Sequence, residues 1–215
     1  MVRPGREEAP GFAPLLWGGK YVSSGGWGEQ WGAGGSVRVV EDEVLQGPCV
    51  DVMGDKIEPN SITCPARAGS SLRCALPYLV MVIKNQDAYF AFEVQVLDSA
   101  GVVRRFRVSN AQSLLRKKEL VCSMPIRLAP GWNYLAYNLA DWVRAAYGTS
   151  FVEVQRVTLY ANCRIRRIHL GASVMDEEDL PHGYRIYDGL THAEDARPTV
   201  EDEHDATRAR GEVLV

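Results

Sequence analysis

The side chains in this 215-residue chain that could carry out chemistry are few and far apart. His169, His182, His192 and His204 stand away from every cysteine, so none falls into a metal-ligand spacing. His169 is expected to be a half-buried structural histidine on a strand. Cys64 and Cys74 enclose Pro65 at a separation that matches neither a zinc site nor a redox pair. Gly18-Gly19-Lys20 lacks the earlier glycine of a phosphate loop and runs on into Tyr21, and Gly32, Gly34 and Gly35 open no helix after a strand. No G-x-S-x-G nucleophile elbow occurs. Asp176, Glu177, Glu178 and Asp179 look like an acidic loop without the partner groups that general acid–base chemistry needs. The expectation is a protein that is not an enzyme and takes no cofactor, metal ion or small-molecule substrate. Binding is left as its work.

Three basic groups are the candidates for that binding: Arg104, Arg105 and Arg107; Arg116, Lys117 and Lys118; Arg164, Arg166 and Arg167. The second follows the turn residues Ser109, Asn110 and Gln112, has one acid nearby (Glu119), and reads as a loop making an external contact; a solvated loop is the competing reading. In the third, alternation puts Arg164 and Arg166 on one face and Arg167 on the other, so at least one arginine must reach an edge or a buried carboxylate. Trp17 and Trp27, with Trp31, sit in a glycine-rich stretch with no period that would bury them, which suggests interface anchors.

Charge is unevenly spread. Residues 60–170 hold 15 Lys and Arg against 6 Asp and Glu, while residues 188–215 hold 3 Arg against 8 Asp and Glu. A formal net charge of −3 therefore combines a basic body with an acidic tail, and the body favours an acidic partner, nucleic acid or an acidic protein surface. With 46% hydrophobic and 24% charged residues the composition is that of a soluble globular protein, and no apolar run is long enough to span a membrane. No signal peptide and no N-x-S/T acceptor are visible, and an odd count of cysteines (Cys49, Cys64, Cys74, Cys122, Cys163) at irregular spacing suggests reduced thiols in the cytosol.

The elements that must position these groups are short strands. Tyr78 to Ile83 is an unbroken apolar run after Pro77 and reads as a strand covered on both faces. Tyr89 to Leu97 alternates, with Phe90, Phe92, Val94 and Val96 inward and Ala91, Glu93 and Gln95 outward. After the turn residues Asp98 to Gly101, Val102 to Val108 returns as a hairpin. Burial of Phe106 and Val108 fixes the register, with Phe106 opposite Val94, Arg105 opposite Gln95, and Arg107 opposite Glu93 in a cross-strand salt bridge. This stretch is expected to form the centre of an antiparallel sheet. Further strands are expected at Ser36–Val40, Cys49–Met53, Asn60–Cys64, Leu120–Arg127, Trp132–Tyr137, Val152–Tyr160 and Asn162–Leu170, with a last segment at Tyr184–Tyr187. One helix is expected, capped by Asn138, striped by Leu139, Trp142, Val143 and Ala146, and ended by Gly148. The whole reads as an all-β, antiparallel, jelly-roll-like β-sandwich with one short α-helix. Residues 1–30 read as an irregular Gly/Pro/Trp-rich arm, 31–187 as the sandwich domain, and 188–215 as an acidic tail.

Several words of the chain occur in this order in a known family. ITCP at 62–65, LPYLVMVIKN at 76–85, FEVQVLD at 92–98, GWN at 131–133, AYGT at 146–149 and ANCRIRRI at 161–168 resemble the cilia- and flagella-associated protein twenty family, over roughly Trp31 to Tyr187. The resemblance implies a β-sandwich like that of carbohydrate-binding modules. It also implies a structural role at the inner junction of the axonemal doublet microtubule, closing the B-tubule against the A-tubule. The implied partners are alpha/beta-tubulin, the Parkin co-regulated protein and other inner-junction or microtubule inner proteins, in the cytoskeleton of the cilium or flagellum, with the basal body as a further location. The N-terminal arm and the acidic tail depart from the family, which leaves open a direct counterpart or a paralogue. Two other classes compete: a nuclear nucleic-acid-associated protein and a carbohydrate-binding module. The absence of an aromatic–basic RNA-binding signature weighs against the first, and the absence of a secretion signal against the second.

Overall fold

The structure, a computed structural model, describes residues 11–23 and 25–186. Residues 1–10 of the expected arm, Tyr187 and the acidic tail lie outside the described residues. Strands are numbered along the chain. One seven-stranded sheet contains β1 (Phe12–Trp17), β2 (Lys20–Tyr21), β4 (Ser36–Asp42), β5 (Gly47–Met53), β7 (Tyr78–Asn85), β12 (Gly131–Asn138) and β14 (Cys163–Gly171). The other contains β3 (Gly28–Gln30), β6 (Ser61–Cys64), β8 (Ala91–Asp98), β9 (Val103–Ser109), β10 (Arg116–Lys117), β11 (Val121–Pro125) and β13 (Phe151–Tyr160), in the order β10-β11-β9-β8-β13-β6-β3. The helix α1 (Leu139–Tyr147) joins the sheets, and a 3₁₀ turn (His182–Tyr184) overlaps the last expected segment only at Tyr184.

Period-2 patterning explains the core. Leu79, Met81 and Ile83 of β7, Ile165 and Ile168 of β14, and Val50 and Val52 of β5 meet Phe92, Val94 and Val96 of β8, Phe106 and Val108 of β9, and Val154, Val157 and Leu159 of β13. β7 is buried on both faces, as its unbroken run predicts. Its Val82 packs on the far side with Leu45, Cys49, Trp132 and Ile186, backed by Trp17 and Tyr134. The hairpin register is the expected one, with Val94 opposite Phe106, Gln95 opposite Arg105 and Glu93 opposite Arg107. Its turn is closed by Asp98, whose Oδ1 accepts from the amides of Ala100 (3.0 Å) and Val102 (2.9 Å) while Gly101 takes φ +74. Asn138 caps α1 by accepting from the amides of Ala140 (3.0 Å) and Asp141 (3.3 Å).

Four expectations are corrected. β7 and the β8–β9 hairpin, adjacent in sequence, are central in opposite sheets, because β7 pairs with β12 and β14 while the hairpin pairs with β13 and β11. The sandwich is not wholly antiparallel, since β11 runs parallel to β9. The stretch 11–30 is not irregular. β1 pairs with β14 and β3 with β6, so it is built into both sheets. Burial drives this: Phe12, Leu15, Leu16 and Trp27 are core residues that free coil would leave in water. Finally, β14 carries a bulge between Ile165 and Arg167 that breaks simple alternation.

Candidate functional site

The bulge decides the fate of the β14 arginines. It leaves Ile165 and Ile168 on the core face and turns Arg164 and Arg167 together to the outer face, in contrast to the alternation expected from sequence. Arg164 bonds Asp51 (3.1 Å) and Asp42 (2.8 Å). Asp42 also accepts from Lys84 (2.9 Å), from the Trp132 indole (3.0 Å) and from the amides of Val44 and Leu45. Burial alone would raise the pKa of Asp42, but the bonds from Lys84, Arg164, Trp132 and the Leu45 amide outweigh it and hold the carboxyl well below its ordinary range. Arg167 has no exposed side-chain surface and grips Glu177 with both nitrogens of its fork (3.0 and 2.5 Å), while Glu177 also accepts from the amide of Ile186. Arg166, the bulged residue, donates to the Pro48 carbonyl (2.6 Å) and lies 4.6 Å from the Trp17 ring centroid. This group is internal glue that ties β4, β5, β7 and the 177–186 segment to β14.

Next in that row, His169 is buried, packs at 4.7 Å on the Phe12 ring, and has neither ring nitrogen hydrogen-bonded. Burial and the neighbouring Arg167 push its imidazole down to about 3. It is deeper than the half-buried position expected.

The β9 arginines are mostly consumed as well. Arg104 bonds buried Asp98 (2.8 Å) and the Glu119 carbonyl (2.6 Å) and covers the Tyr147 ring at 4.3 Å. The expected salt bridge between Arg107 and Glu93 is corrected. Glu93 pairs diagonally with Arg105 (3.2 Å), and Arg107 reaches Glu58 (2.6 Å) and the ring of Tyr160. A long arginine spans the two residues along the strand to its diagonal neighbour, and Arg107 is drawn instead to Glu58 and the Tyr160 ring.

Arg116, Lys117 and Lys118 differ from both groups. They do not lie in a loop. Arg116 and Lys117 form β10, the last strand of its sheet, opposite Ser123 and Cys122 of β11. All three side chains are exposed, and among the described residues none of them makes a salt bridge. The register splits the triplet. Arg107, Ser123 and Arg116 stand in one row across β9, β11 and β10, so Arg116 shares the outer face with Arg107. Lys118 closes the hairpin by donating its amide to Val121 (2.8 Å), next to Arg105, whereas Lys117 turns to the helix side and lies 5.8 Å from the Tyr147 ring. Leu114 (64% exposed), Leu115 (59%) and Leu120 (50%) flank this edge, and a charged edge with exposed leucines at both ends is unusual on a solvated surface.

The tryptophans are placed differently from the expectation. Trp27 is buried, donates to the Leu15 carbonyl (2.9 Å) and stacks on Tyr21. Trp17 is half-buried between Arg166 and Tyr184. Trp31 is exposed. A cleft of about 510 Å³, whose lining includes Asp55, Lys56, Tyr89, Asn85, Asn110 and Asn162, offers no reactive constellation, because each asparagine amide is engaged with nearby backbone groups. Among the described residues no three His, Cys, Asp or Glu side chains group as metal ligands, and no helix is long and apolar enough to cross a membrane. Sequence reasoning missed Asp42, which stands 122 positions from its partner Arg164 and carries no local signal. The leucines in the run SLLRKKEL at 113–120 were a signal that could have been read.

By architecture the protein is a two-sheet β-sandwich with one helix and a basic sheet edge. The chain belongs to the CFA20 domain family, whose pattern matches residues 22–188. It is 45% identical over 153 residues to cilia- and flagella-associated protein 20 of Chlamydomonas reinhardtii, a match covering 71% of this chain and 80% of that one. The Paramecium tetraurelia protein of the same name is 46% identical over the same shares, and that of Caenorhabditis elegans 42% identical over 71% of this chain and 75% of its own. A solved family 11 carbohydrate-binding module from Clostridium thermocellum, in complex with a tetrasaccharide, aligns with a TM-score of 0.42 at 12% identity, covering 78% of this chain and 99% of the module. No ligand is transferred from it.

Proposed function

We propose that this protein is a non-enzymatic structural component of the ciliary or flagellar axoneme. In this reading it sits at the inner junction of the doublet microtubule and links the A- and B-tubules by binding alpha/beta-tubulin and neighbouring junction proteins, the Parkin co-regulated protein among them. Membership of the CFA20 domain family carries the reading, with relatives named for cilia and flagella across most of their length. The geometry supports it in one respect. Many arginines of the body are committed to internal acids and rings, whereas Arg116, Lys117 and Lys118 stand together at a sheet edge without a salt bridge among the described residues, a cluster suited to the acidic surface of tubulin.

The same observation weakens the nucleic-acid reading, because a basic body whose arginines are already paired offers phosphate less than its formal charge suggests. Co-sedimentation with stabilised microtubules across a salt series tests the proposal, using intact tubulin beside tubulin stripped of its acidic tails. Binding that weakens with salt, and several-fold on replacing Arg116, Lys117 and Lys118 by alanine, is the expected result. Unchanged binding by that variant would remove β10 from the contact.

A further inference from the structure

We propose that the free side of β10 accepts an extended acidic segment of a partner protein as an added strand. The inference deepens the reading of the basic edge given above and rests on it. Its geometry comes from the hairpin. The amide of Lys118 donates to Val121 across the β10–β11 turn, which makes that pair a hydrogen-bonded one. Antiparallel alternation then turns the N–H and C=O of Lys117 away from β11, toward the side where the described sheet ends. Main-chain groups so presented are the template that an incoming strand completes.

Charge selects the strand. Arg116 and Lys118 stand beside Arg105 and Arg107 on the outer face. Glu93 and Glu58 neutralise the two β9 arginines, so Arg116 and Lys118 are left to meet carboxylates from outside. Lysine on an edge commonly serves to discourage pairing. Here, however, exposed Leu114, Leu115 and Leu120 flank the strand, which a purely defensive edge would not retain. The partner is therefore an acidic, extended peptide with interspersed apolar residues, read by backbone pairing and by charge together.

The test uses the full chain and a fluorescein-labelled peptide of about twelve residues alternating Glu and Val, with a second peptide N-methylated at alternate amides; binding is read by polarisation. The expected result is binding of the first peptide, a loss of at least about tenfold for the methylated one, and a similar loss in the Arg116→Glu/Lys118→Glu variant with its melting temperature unchanged. Equal binding of the two peptides overturns strand addition and leaves charge alone. Failure of the first peptide to bind, or its undiminished binding to the charge-reversed variant, overturns the site. A gain of about tenfold on deleting residues 188–215 would identify the chain's own acidic segment as the occupant and overturn the external partner. Microtubule co-sedimentation that persists while the peptide fails removes only this inference and leaves the junction reading standing; the converse result removes the junction reading alone.

Discussion

The arginines of β14 and the basic residues of β10 and its turn look alike in sequence, three positive charges within four or three positions, yet they have opposite fates. β14 is a central strand with neighbours on both edges, and Asp42, Asp51 and Glu177 converge on its outer face. β10 is a terminal strand whose side chains find no acid among the described residues. The comparison teaches that a basic cluster is an interface only where the topology leaves it unpartnered. Central charge holds the fold together, and edge charge is available to others.

The sharpest way to break this contrast is to remove Asp42. Asp42→Ala leaves Lys84 and the Trp132 indole without their carboxylate and Arg164 with Asp51 alone, and a loss of about 2–3 kcal/mol in urea unfolding is expected. A loss under about 1 kcal/mol would mean that the outer-face network is not structural.

Acid probes the same face. The folded carboxyl of Asp42 sits below its ordinary range, so its stabilisation is present above its unfolded pKa and is lost as the pH falls toward the folded value. His169 adds to this. Its unfolded imidazole takes up a proton below 6.5 while the folded one resists down to about 3, so stability falls with pH across that window. His169→Phe, which replaces an unbonded buried imidazole by a ring beside Phe12, should flatten the decline between pH 6.5 and 4 in a pH series of thermal melts. An unaltered slope would show that other groups govern it.

At β10 the expectation reverses. Alanine at Arg116, Lys117 and Lys118 should change unfolding free energy by no more than about 0.5 kcal/mol while weakening microtubule co-sedimentation several-fold. A large stability loss would place these residues with the β14 group instead. Arg105→Ala, which leaves the buried Glu93 carboxylate with the Gln95 amide (3.2 Å) as its side-chain donor, should cost about 1–2 kcal/mol by chemical denaturation. It marks the middle of the range between glue and interface.

Much of the fold was legible because its signals are local. The unbroken run of β7, the alternation of β8, the hairpin register and both caps of α1 each follow from residues within one or two elements. Where sequence reasoning stopped short, the missing information was an arrangement of distant segments. Nothing near Trp27 is periodic, so its sequence context suggests an exposed anchor, but Leu15 and Tyr21 bury it once β1 and β3 join opposite sheets. The second basic group reads as a loop because two residues carry too little pattern to announce a strand, and β11 supplies the pairing.

The sequence by itself determined the class of fold, the core faces of the strands, the helix with its caps and the family, since these depend on side-chain period, turn chemistry and the order of short words. Only the tertiary structure decided which charges are spent. Ion pairing depends on distances of a few ångströms between residues more than 100 positions apart, and the bulge in β14 turns Arg164 toward Asp42 while the end of a sheet leaves Arg116 facing water.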